Sequence, residues 1–226
     1  MTLLLLIRHA LTDATGKRLS GRTRGIHLSD AGRAQASALA DRLAPLSISA
    51  VYASPLERCV ETARPFASAR GLDVRVEPRI VEVAYGTWTG RSMAQLTRTA
   101  LWKKVQSSPS SVRFPDGEAL SEVQQRAVSA FGDMAAAHPR GVVAAVTHAD
   151  VIRLAVAHYC GVHLDLFQRF VVGPTSVSAI LLGDRIPRIL RINDTGTLED
   201  LAARAGAKAK APARRGGSRG GGAVRG

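Results

Sequence analysis

The chain has 226 residues, 46% of them apolar, and carries 31 Lys and Arg against 18 Asp and Glu, a formal net charge of +13. This length and composition suit one or two domains with a substantial core, and exclude a collagen-like, a disulfide-rich or a wholly disordered chain. Its apolar runs are far shorter than the ~20 residues of a membrane-spanning helix, and the first lacks the preceding basic region of a signal peptide, so we expect a cytoplasmic protein without a membrane partner.

Apolar strand-like runs alternate with helical patterns along residues 1–195, which is typical of an α/β fold. Six runs are predicted as strands, at residues 3–7, 48–53, 74–76, 142–146, 177–182 and 189–192. The first and fourth are almost purely aliphatic, as central parallel strands with both faces covered are. We therefore predict a three-layer sandwich, in which a mostly parallel sheet lies between helices on both faces.

The segments between these strands carry helix signals. Ser29 is the predicted N-cap of a helix that reaches residue 43. Pro55 is the predicted first residue of a helix to about residue 70, with a kink or an early end at Pro65. Further helices are predicted from residue 118 or 121 to 137, at 150–159 and at 165–170. Residues 85–117, rich in Gly, Ser and Thr, are predicted to form a short helix at 93–103 and a loop that covers a site.

Three predicted strands end in residues that suit a phosphate site. The first is followed by Arg8 and His9, the second by a segment that contains Arg58, and the fourth by Thr147 and His148. Ligands of open parallel sheets bind at the carboxyl ends of the strands, so these side chains can converge if the strands are neighbours. Two arginines and the helix N-termini after the strands favour a tetrahedral oxyanion, whereas they would repel a metal ion.

The histidines differ in the chemistry that their positions suggest. A neutral His is a competent nucleophile toward phosphorus, and a protonated second His would stabilise charge on the transferred oxygens. His9 and His148 each follow an aliphatic strand directly and lie beside an arginine or a helix start, so we assign both to catalysis. A lone histidine is more often structural, and this is our interpretation of the other four, His27, His138, His158 and His163.

Four short motifs, in this order and with this spacing, resemble the histidine phosphatase superfamily, also called phosphoglycerate mutase-like. They are Arg-His-Ala at 8–10, Leu-Ser-Asp-Ala-Gly at 28–32 with Gln-Ala at 35–36, Ser-Pro-Leu-Glu-Arg at 54–58 with Glu-Thr-Ala at 61–63, and Thr-His-Ala-Asp at 147–150. The resemblance extends to about residue 195 and implies the phosphoglycerate mutase-like fold. It also implies that His9 becomes phosphorylated and that Arg8, Arg58 and His148 hold the phosphoryl group.

The resemblance further implies a proton donor in a Glu-x-x-x-Gly-x-Trp context, which selects Glu82 in the segment 82–88. An alkoxide that leaves phosphate needs a proton, and the same carboxylate can then activate water. The alternative interpretation is that Glu82 is a surface charge in a loop.

Some residues depart from the family pattern. Ala10 replaces a usual glycine and adds a methyl group where the backbone could approach phosphate, and Thr89 stands where a glutamate is common. Thr15 lies where an asparagine often contacts phosphate, and we predict that its hydroxyl contacts phosphate instead. These departures bear on the substrate rather than on the core chemistry.

The predicted function is that of a metal-independent phosphomonoester hydrolase, histidine acid phosphatase-like, which acts on a small phosphorylated metabolite without a cofactor. A phosphomutase is the alternative, because the same site can pass the phosphoryl group to a second hydroxyl. The separation of 66 positions from Glu82 to His148 is typical of the shorter phosphatase type. A second alternative is a non-catalytic phospholigand-binding or regulatory module, which would need the arginines but neither His9 nor Glu82.

The sequence does not identify the substrate itself. The predicted substrate contacts lie in the loop after the nucleophile and beside the second histidine, namely Ser20, Gly21, Arg22, Arg24 and Ala149. Arg22 and Arg24 would read a second anionic or polar group, and the alternative is that both are solvated loop charges. A face between Trp88 and Trp102 would instead favour a less charged substrate. The resemblance also makes a homodimer an open prediction.

The basic charge is concentrated at the end of the chain. Seven of the 31 basic residues lie in residues 204–226, which contain no acid, so residues 1–203 keep 24 basic and 18 acidic residues, a net charge of +6. We predict that residues 196–226 form a disordered basic tail, because their Ala, Gly and Arg have little to bury. The tail either contacts nucleic acid or another polyanion weakly or has no dedicated partner. Cys59 and Cys160 are predicted to be reduced and packed.

Overall fold

Six strands form one sheet within residues 1–183 and 185–207, which the computed structural model describes, with the backbone alone for 204–207. They are β1 (Thr2–Arg8), β2 (Ile48–Ala53), β3 (Val74–Val76), β4 (Val142–Thr147), β5 (Val177–Leu182) and β6 (Arg188–Asp194). The strand order is β3-β2-β4-β1-β5-β6. Strands β1 to β4 are parallel, whereas β5 runs antiparallel to both β1 and β6. The mostly parallel sheet that the sequence predicts is confirmed.

The same part of the chain contains seven α-helices: α1 (Asp30–Leu43), α2 (Glu57–Ser68), α3 (Met93–Leu96), α4 (Ala100–Ser107), α5 (Leu120–Ala137), α6 (Ala149–Tyr159) and α7 (Glu199–Ala207). Single turns of 3₁₀ helix lie at Pro78–Ile80, Gly86–Trp88 and Pro109–Ser111, and a longer one at Leu164–Arg169. None of the helices in the described ranges combines the length and the apolarity needed to cross a membrane.

Alternate residues of β1 face the two helical layers, because successive side chains of a strand point to opposite faces of the sheet. Leu4 and Leu6 pack in one buried cluster with residues of α5 and α6. Leu3, Leu5 and Ile7 pack in a second cluster with residues of α1 and α2. All five side chains are buried. The two clusters make the predicted three-layer sandwich and leave the carboxyl ends of the parallel strands free for a site.

Local chemistry explains where several helices begin. The Ser29 hydroxyl accepts a hydrogen bond from the Gly32 N–H at 3.1 Å, which confirms the predicted N-cap of α1. Helix α2 begins two residues later than predicted and continues through Pro65. The single helix predicted at 93–103 is instead two helices, because Thr99 caps a new one by accepting a hydrogen bond from the Trp102 N–H.

The folded part extends beyond residue 195, where the sequence predicts a disordered tail. Leu198 and Leu201 are fully buried in the cluster that contains Leu3 and Leu39, so α7 covers part of that helical layer. The prediction of disorder is therefore wrong for the start of the tail. Two leucines three positions apart give this segment one apolar face, which packs on the core. Residues 208–226 of the predicted tail lie outside the described residues.

Replacing Leu201 by alanine is expected to lower the free energy of unfolding by about 2–5 kcal/mol, because the change removes a fully buried side chain and leaves a cavity. Urea denaturation followed by circular dichroism measures the effect. The matched control is Glu199→Ala on the exposed face of the same helix, for which the change should stay within about 0.5 kcal/mol. Equal stability of both variants would show that α7 does not contribute to the core.

The two cysteines have different environments. Both are free thiols. Cys59 is buried in α2, and burial raises the pKa of its thiol to about 12, as expected for a packed cysteine. Cys160 follows the last turn of α6 and is exposed, so the prediction that both cysteines are packed is wrong for Cys160.

Candidate active site

The strands β2, β4 and β1 are adjacent in the sheet, so the residues that follow them meet at one edge. The rings of His9 and His148 lie with their centroids 5.3 Å apart in an edge-to-face arrangement. The Arg58 Nη2 atom lies 3.4 Å from Nδ1 of His148. A cavity of about 440 Å³ opens there, and Arg8, His9, Arg58 and Glu82 line it. The convergence predicted from the strand ends is therefore present.

His9 is held as a neutral imidazole. Its Nδ1 atom lies 2.8 Å from the Ala10 carbonyl oxygen, which can only accept, so Nδ1 carries the proton and Nε2 keeps its lone pair. Burial and the neighbouring Arg58 lower the pKa of His9 to about 3, although the hydrogen bond to Ala10 opposes this shift. At neutral pH the ring can act as a nucleophile through Nε2.

The residues after His9 are tied to the helices beside them. The Thr62 hydroxyl accepts a hydrogen bond from the Ala10 N–H at 3.0 Å, and the Gln35 side chain accepts one from the Leu11 N–H at 3.1 Å. The methyl group of Ala10 is fully buried beside Leu28 and is not part of the cavity lining. The expectation that this methyl group lies where phosphate would approach is therefore not supported. These contacts fix the backbone that carries His9.

The two arginines are oriented by main-chain carbonyls. Arg8 donates from Nη1 to the Val172 oxygen at 2.7 Å, and Arg58 donates from Nη2 to the Gly21 oxygen at 2.8 Å. In both side chains Nε is buried and has no hydrogen-bond partner among the described residues. Buried donors without a partner are costly. Both side chains line the cavity, where their guanidinium groups can pair with an oxyanion.

His148 is fully buried behind Arg58 and is not itself part of the cavity lining. Arg58 Nη2 is a donor, so its contact makes Nδ1 of His148 the acceptor and leaves Nε2–H to donate to the Ser54 hydroxyl at 2.8 Å. Burial, His9 and Arg58 lower the pKa of His148 well below its usual value. The sequence predicts a protonated His148, whereas the structure favours the neutral ring, because the ring is fully buried and lies near His9 and Arg58. Helix α6 begins at Ala149 and directs its N-terminus to the cavity.

Glu82 lines the same cavity as Arg8 and Arg58, and its side chain is only 13% exposed. One carboxylate oxygen accepts a hydrogen bond from the Val83 N–H at 2.9 Å, and the other lies 3.8 Å from Nδ1 of His148. Burial and the charge of Asp150 raise the pKa of Glu82 to about 7, although Arg58 opposes the shift. A carboxyl group with this pKa can donate a proton at neutral pH and accept one afterwards.

The sequence of this chain matches the model of a known protein family. The model described as "Histidine phosphatase superfamily (branch 1)" matches residues 4–195. The chain belongs to the histidine phosphatase superfamily. It is 30% identical over 200 residues to phosphoserine phosphatase 1 of Hydrogenobacter thermophilus, a match that covers 86% of this chain and 93% of that protein.

Solved structures agree with this assignment. The protein YhfR of Bacillus stearothermophilus is 26% identical and superimposes with a TM-score of 0.81, over 87% of this chain and 98% of that one. A phosphoserine phosphatase mutant from Entamoeba histolytica, solved in complex with phosphoserine, is 24% identical with a TM-score of 0.79. It covers 86% of this chain and 98% of its own. At this identity the second match supports the fold alone.

In this member of the histidine phosphatase superfamily, some of the other predicted substrate contacts line the cavity and some lie outside it. Thr15, Ser20, Gly21 and Ala149 line the cavity. The Thr15 hydroxyl also accepts a hydrogen bond from the Thr12 N–H at 3.0 Å, which fixes the loop after His9.

Arg22 and Arg24 do not reach the cavity, so the structure does not support the prediction that they read a substrate group. Both are exposed. Arg22 instead donates to the Glu82 carbonyl oxygen at 2.8 Å and forms an ion pair with Glu118 at 2.7 Å. The Glu118 carboxylate draws the Arg22 side chain away from the site, and Arg22 thereby holds the segment that carries Glu82.

The cavity of this superfamily member also contains polar residues that sequence reasoning missed. Asp150 accepts hydrogen bonds from the Tyr85 hydroxyl at 2.7 Å and from Arg153 at 2.9 Å, and all three line the cavity. Asp150 and Arg153 are three positions apart on α6, and this spacing places them on one helix face. An acid and a base at this spacing, directly after His148, were the sequence signal by which these two cavity residues could have been found.

Within residues 1–183 and 185–207, no group of three or more His, Cys, Asp or Glu side chains has an arrangement suited to a metal. The side chains that act on His9 are instead cationic or neutral: Arg58 and Arg8 lower its pKa, and the His148 ring lies 5.3 Å away.

Proposed function

We propose that the protein is a metal-independent phosphomonoester hydrolase that acts on a small phosphorylated metabolite through a phosphohistidine at His9. The observation that carries this proposal is the pairing of a neutral His9, whose Nε2 keeps its lone pair, with a Glu82 whose pKa is raised to about 7. Both side chains line a cavity that also contains Arg8 and Arg58. A ligand-binding site alone would need the arginines but neither of the other two groups.

The first step transfers the phosphoryl group to the protein. Nε2 of His9 attacks phosphorus, and the bond from phosphorus to the ester oxygen breaks. Glu82 gives its proton to that oxygen, so the product leaves as a neutral alcohol. Arg8 and Arg58 hydrogen-bond the phosphoryl oxygens, and the N-terminus of α6 favours their negative charge.

The second step returns the site to its starting state. The Glu82 carboxylate takes a proton from water, and the water oxygen attacks phosphorus. The bond between phosphorus and Nε2 of His9 breaks, which regenerates the neutral imidazole and releases phosphate. Arg8 and Arg58 keep the phosphoryl group in place between the steps, so no metal is required to neutralise it.

Phosphomutase activity is the alternative that uses the same groups. A second hydroxyl of the product, instead of water, would take the phosphoryl group from His9. The spacing of 66 positions between Glu82 and His148 favours hydrolysis. A homodimer, a cytoplasmic location and a weak contact of the basic tail with a polyanion stay predictions.

A panel of phosphorylated metabolites tests the proposal, with free phosphate and isomerised product scored for each compound. The panel includes phosphoserine, 3-phosphoglycerate and sugar phosphates. We expect release of phosphate without isomerisation, unchanged by a chelator. Isomerised product as the main outcome would favour the mutase, and a loss of activity with chelator would contradict the metal-free mechanism. Binding without turnover across the panel would favour a phospholigand-binding module.

A further inference from the structure

We propose that the cavity selects phosphomonoesters whose alcohol part is apolar and contains a ring, in preference to small charged esters such as phosphoserine. This inference rests on the proposed function, because it concerns the substrate of the same site. It follows from the part of the cavity that the phosphoryl chemistry does not use.

One wall of the cavity is apolar and largely aromatic. It includes Trp88, Met93, Trp102, Val105, Phe114 and Phe167. The rings of Trp88 and Trp102 are nearly parallel, with an interplanar angle of 26° and centroids 6.2 Å apart. Phe114 packs edge-on against Trp88 at 5.3 Å. Trp88, Phe114 and Phe167 are buried, so the apolar surface that a ligand can remove from water includes that of the half-buried Met93 and Trp102. Aromatic faces favour a ring as their partner.

The wall is held rigidly by two loops that pack backbone to backbone. Gly86 has a φ of +52°, and a Cβ atom there would lie 1.8 Å from the Pro115 carbonyl oxygen. A Cβ atom on Gly117 would lie 2.1 Å from the Ala84 carbonyl oxygen. The two glycines therefore allow the loops that carry Trp88 and Phe114 to approach closely. A rigid apolar wall costs little ordering entropy when a ligand binds.

The charges near this wall do not match a small zwitterion. Of the described residues that line the cavity, the acids are Glu82 and Asp150. Glu82 serves the reaction, and each carboxylate oxygen of Asp150 already accepts a hydrogen bond, one from Tyr85 and one from Arg153. An ammonium group in the cavity would therefore compete with Arg153 for Asp150.

The arginines of the outer cavity are also poorly placed to bind a second anionic group of the substrate. Arg153 donates to the Phe170 carbonyl oxygen at 3.0 Å as well as to Asp150. Arg18 is exposed at the rim, where solvent weakens an ion pair. A second carboxylate on the substrate would gain little from either side chain, whereas a ring would cover apolar surface.

The preference is tested with phosphate esters of primary alcohols, in which the acidity of the leaving alcohol varies little. Burial of a phenyl ring corresponds to a gain of about 10- to 100-fold in kcat/KM. We expect 2-phenylethyl phosphate to exceed both ethyl phosphate and phosphoserine by at least that lower factor. Phosphoserine as the better substrate, or equal values for all three, would overturn the inference while leaving the proposed hydrolase intact.

A variant of the wall separates ring recognition from phosphate chemistry. Trp102 is partly exposed, so Trp102→Ala should fold, and Trp102→Phe should restore most of the effect. Trp102→Ala is expected to lower the ratio of kcat/KM for 2-phenylethyl phosphate to that for ethyl phosphate about tenfold, mainly through the KM of the aromatic ester. The control is Leu101→Ala on the same helix, since Leu101 is not part of the lining. An equal loss for both esters would contradict ring recognition.

A binding measurement keeps this inference distinct from the proposed function. Titration of the wild type with 2-phenylethylphosphonate and with ethylphosphonate, which cannot be hydrolysed, is followed by tryptophan fluorescence. We expect the aromatic phosphonate to bind at least tenfold more tightly. That result without turnover of any ester would reject the hydrolase and retain the ring preference, and equal affinities would reject the ring preference whatever the turnover.

Discussion

Replacing His9 by alanine is expected to lower kcat/KM for phosphate esters by about 10⁴-fold or more, because the proposed reaction has no other nucleophile. Incubation of the wild type with a ³²P-labelled ester, followed by a rapid quench, should trap one phosphoryl group per site. The bond should be labile in acid and stable in base, as a phosphorus–nitrogen bond is. The His9→Ala variant should trap none.

The control for this experiment is His158→Ala, which removes an exposed histidine of α6 and should keep both turnover and trapping. Thermal unfolding of each variant shows whether it is folded. Trapping of an acid-labile phosphoryl group by folded His9→Ala would assign the nucleophile to another residue. Full turnover in that variant would reject covalent catalysis by His9.

Replacing Glu82 by glutamine is expected to affect esters according to their leaving groups. Loss of a general acid costs about 10²- to 10⁴-fold when the leaving group needs a proton, so kcat/KM for an alkyl phosphate should fall in this range. An aryl phosphate with an acidic leaving phenol should lose less than about tenfold. Equal losses for the two esters would exclude Glu82 as the proton donor of the first step.

The same variant also defines the pH dependence. The pKa of Glu82 is raised to about 7, so the protonated form predominates below this pH and its fraction falls above it. For the alkyl phosphate, wild-type kcat/KM should therefore decline about tenfold per pH unit above 7, whereas Glu82→Gln should lack this decline. His9, with a pKa of about 3, stays neutral throughout this range. Glu122→Gln, in an exposed glutamate of α5, is the control and should retain the wild-type profile.

Some elements of the site could be predicted because their signals are local. An aliphatic run followed at once by Arg8 and His9 identifies both a buried strand and the groups at its end. The same holds for His148 after β4. The motif around Glu82 was also contiguous, but its raised pKa was not predictable, because it depends on burial and on Asp150, which lies 68 positions away.

Predictions that depended on charge or composition alone were less successful. Arg22 was expected to read the substrate, yet its position is decided by Glu118, a residue that no local pattern connects with it. The start of the basic tail was expected to be disordered, yet Leu198 and Leu201 pack against the apolar cluster that contains Leu3 and Leu39. In each case the partner is distant in the chain.

The amino-acid sequence by itself determined the α/β class and the order of the strands along the chain, and it predicted which side chains meet at the strand ends, because periodicity and strand-end motifs are local properties. Tertiary structure alone decided that β1 lies between β4 and the antiparallel β5, and that this order brings His9 and His148 together. It also decided which charges reach the cavity and that aromatic residues form its outer wall. These properties depend on contacts between residues far apart in the chain, and no local pattern encodes them.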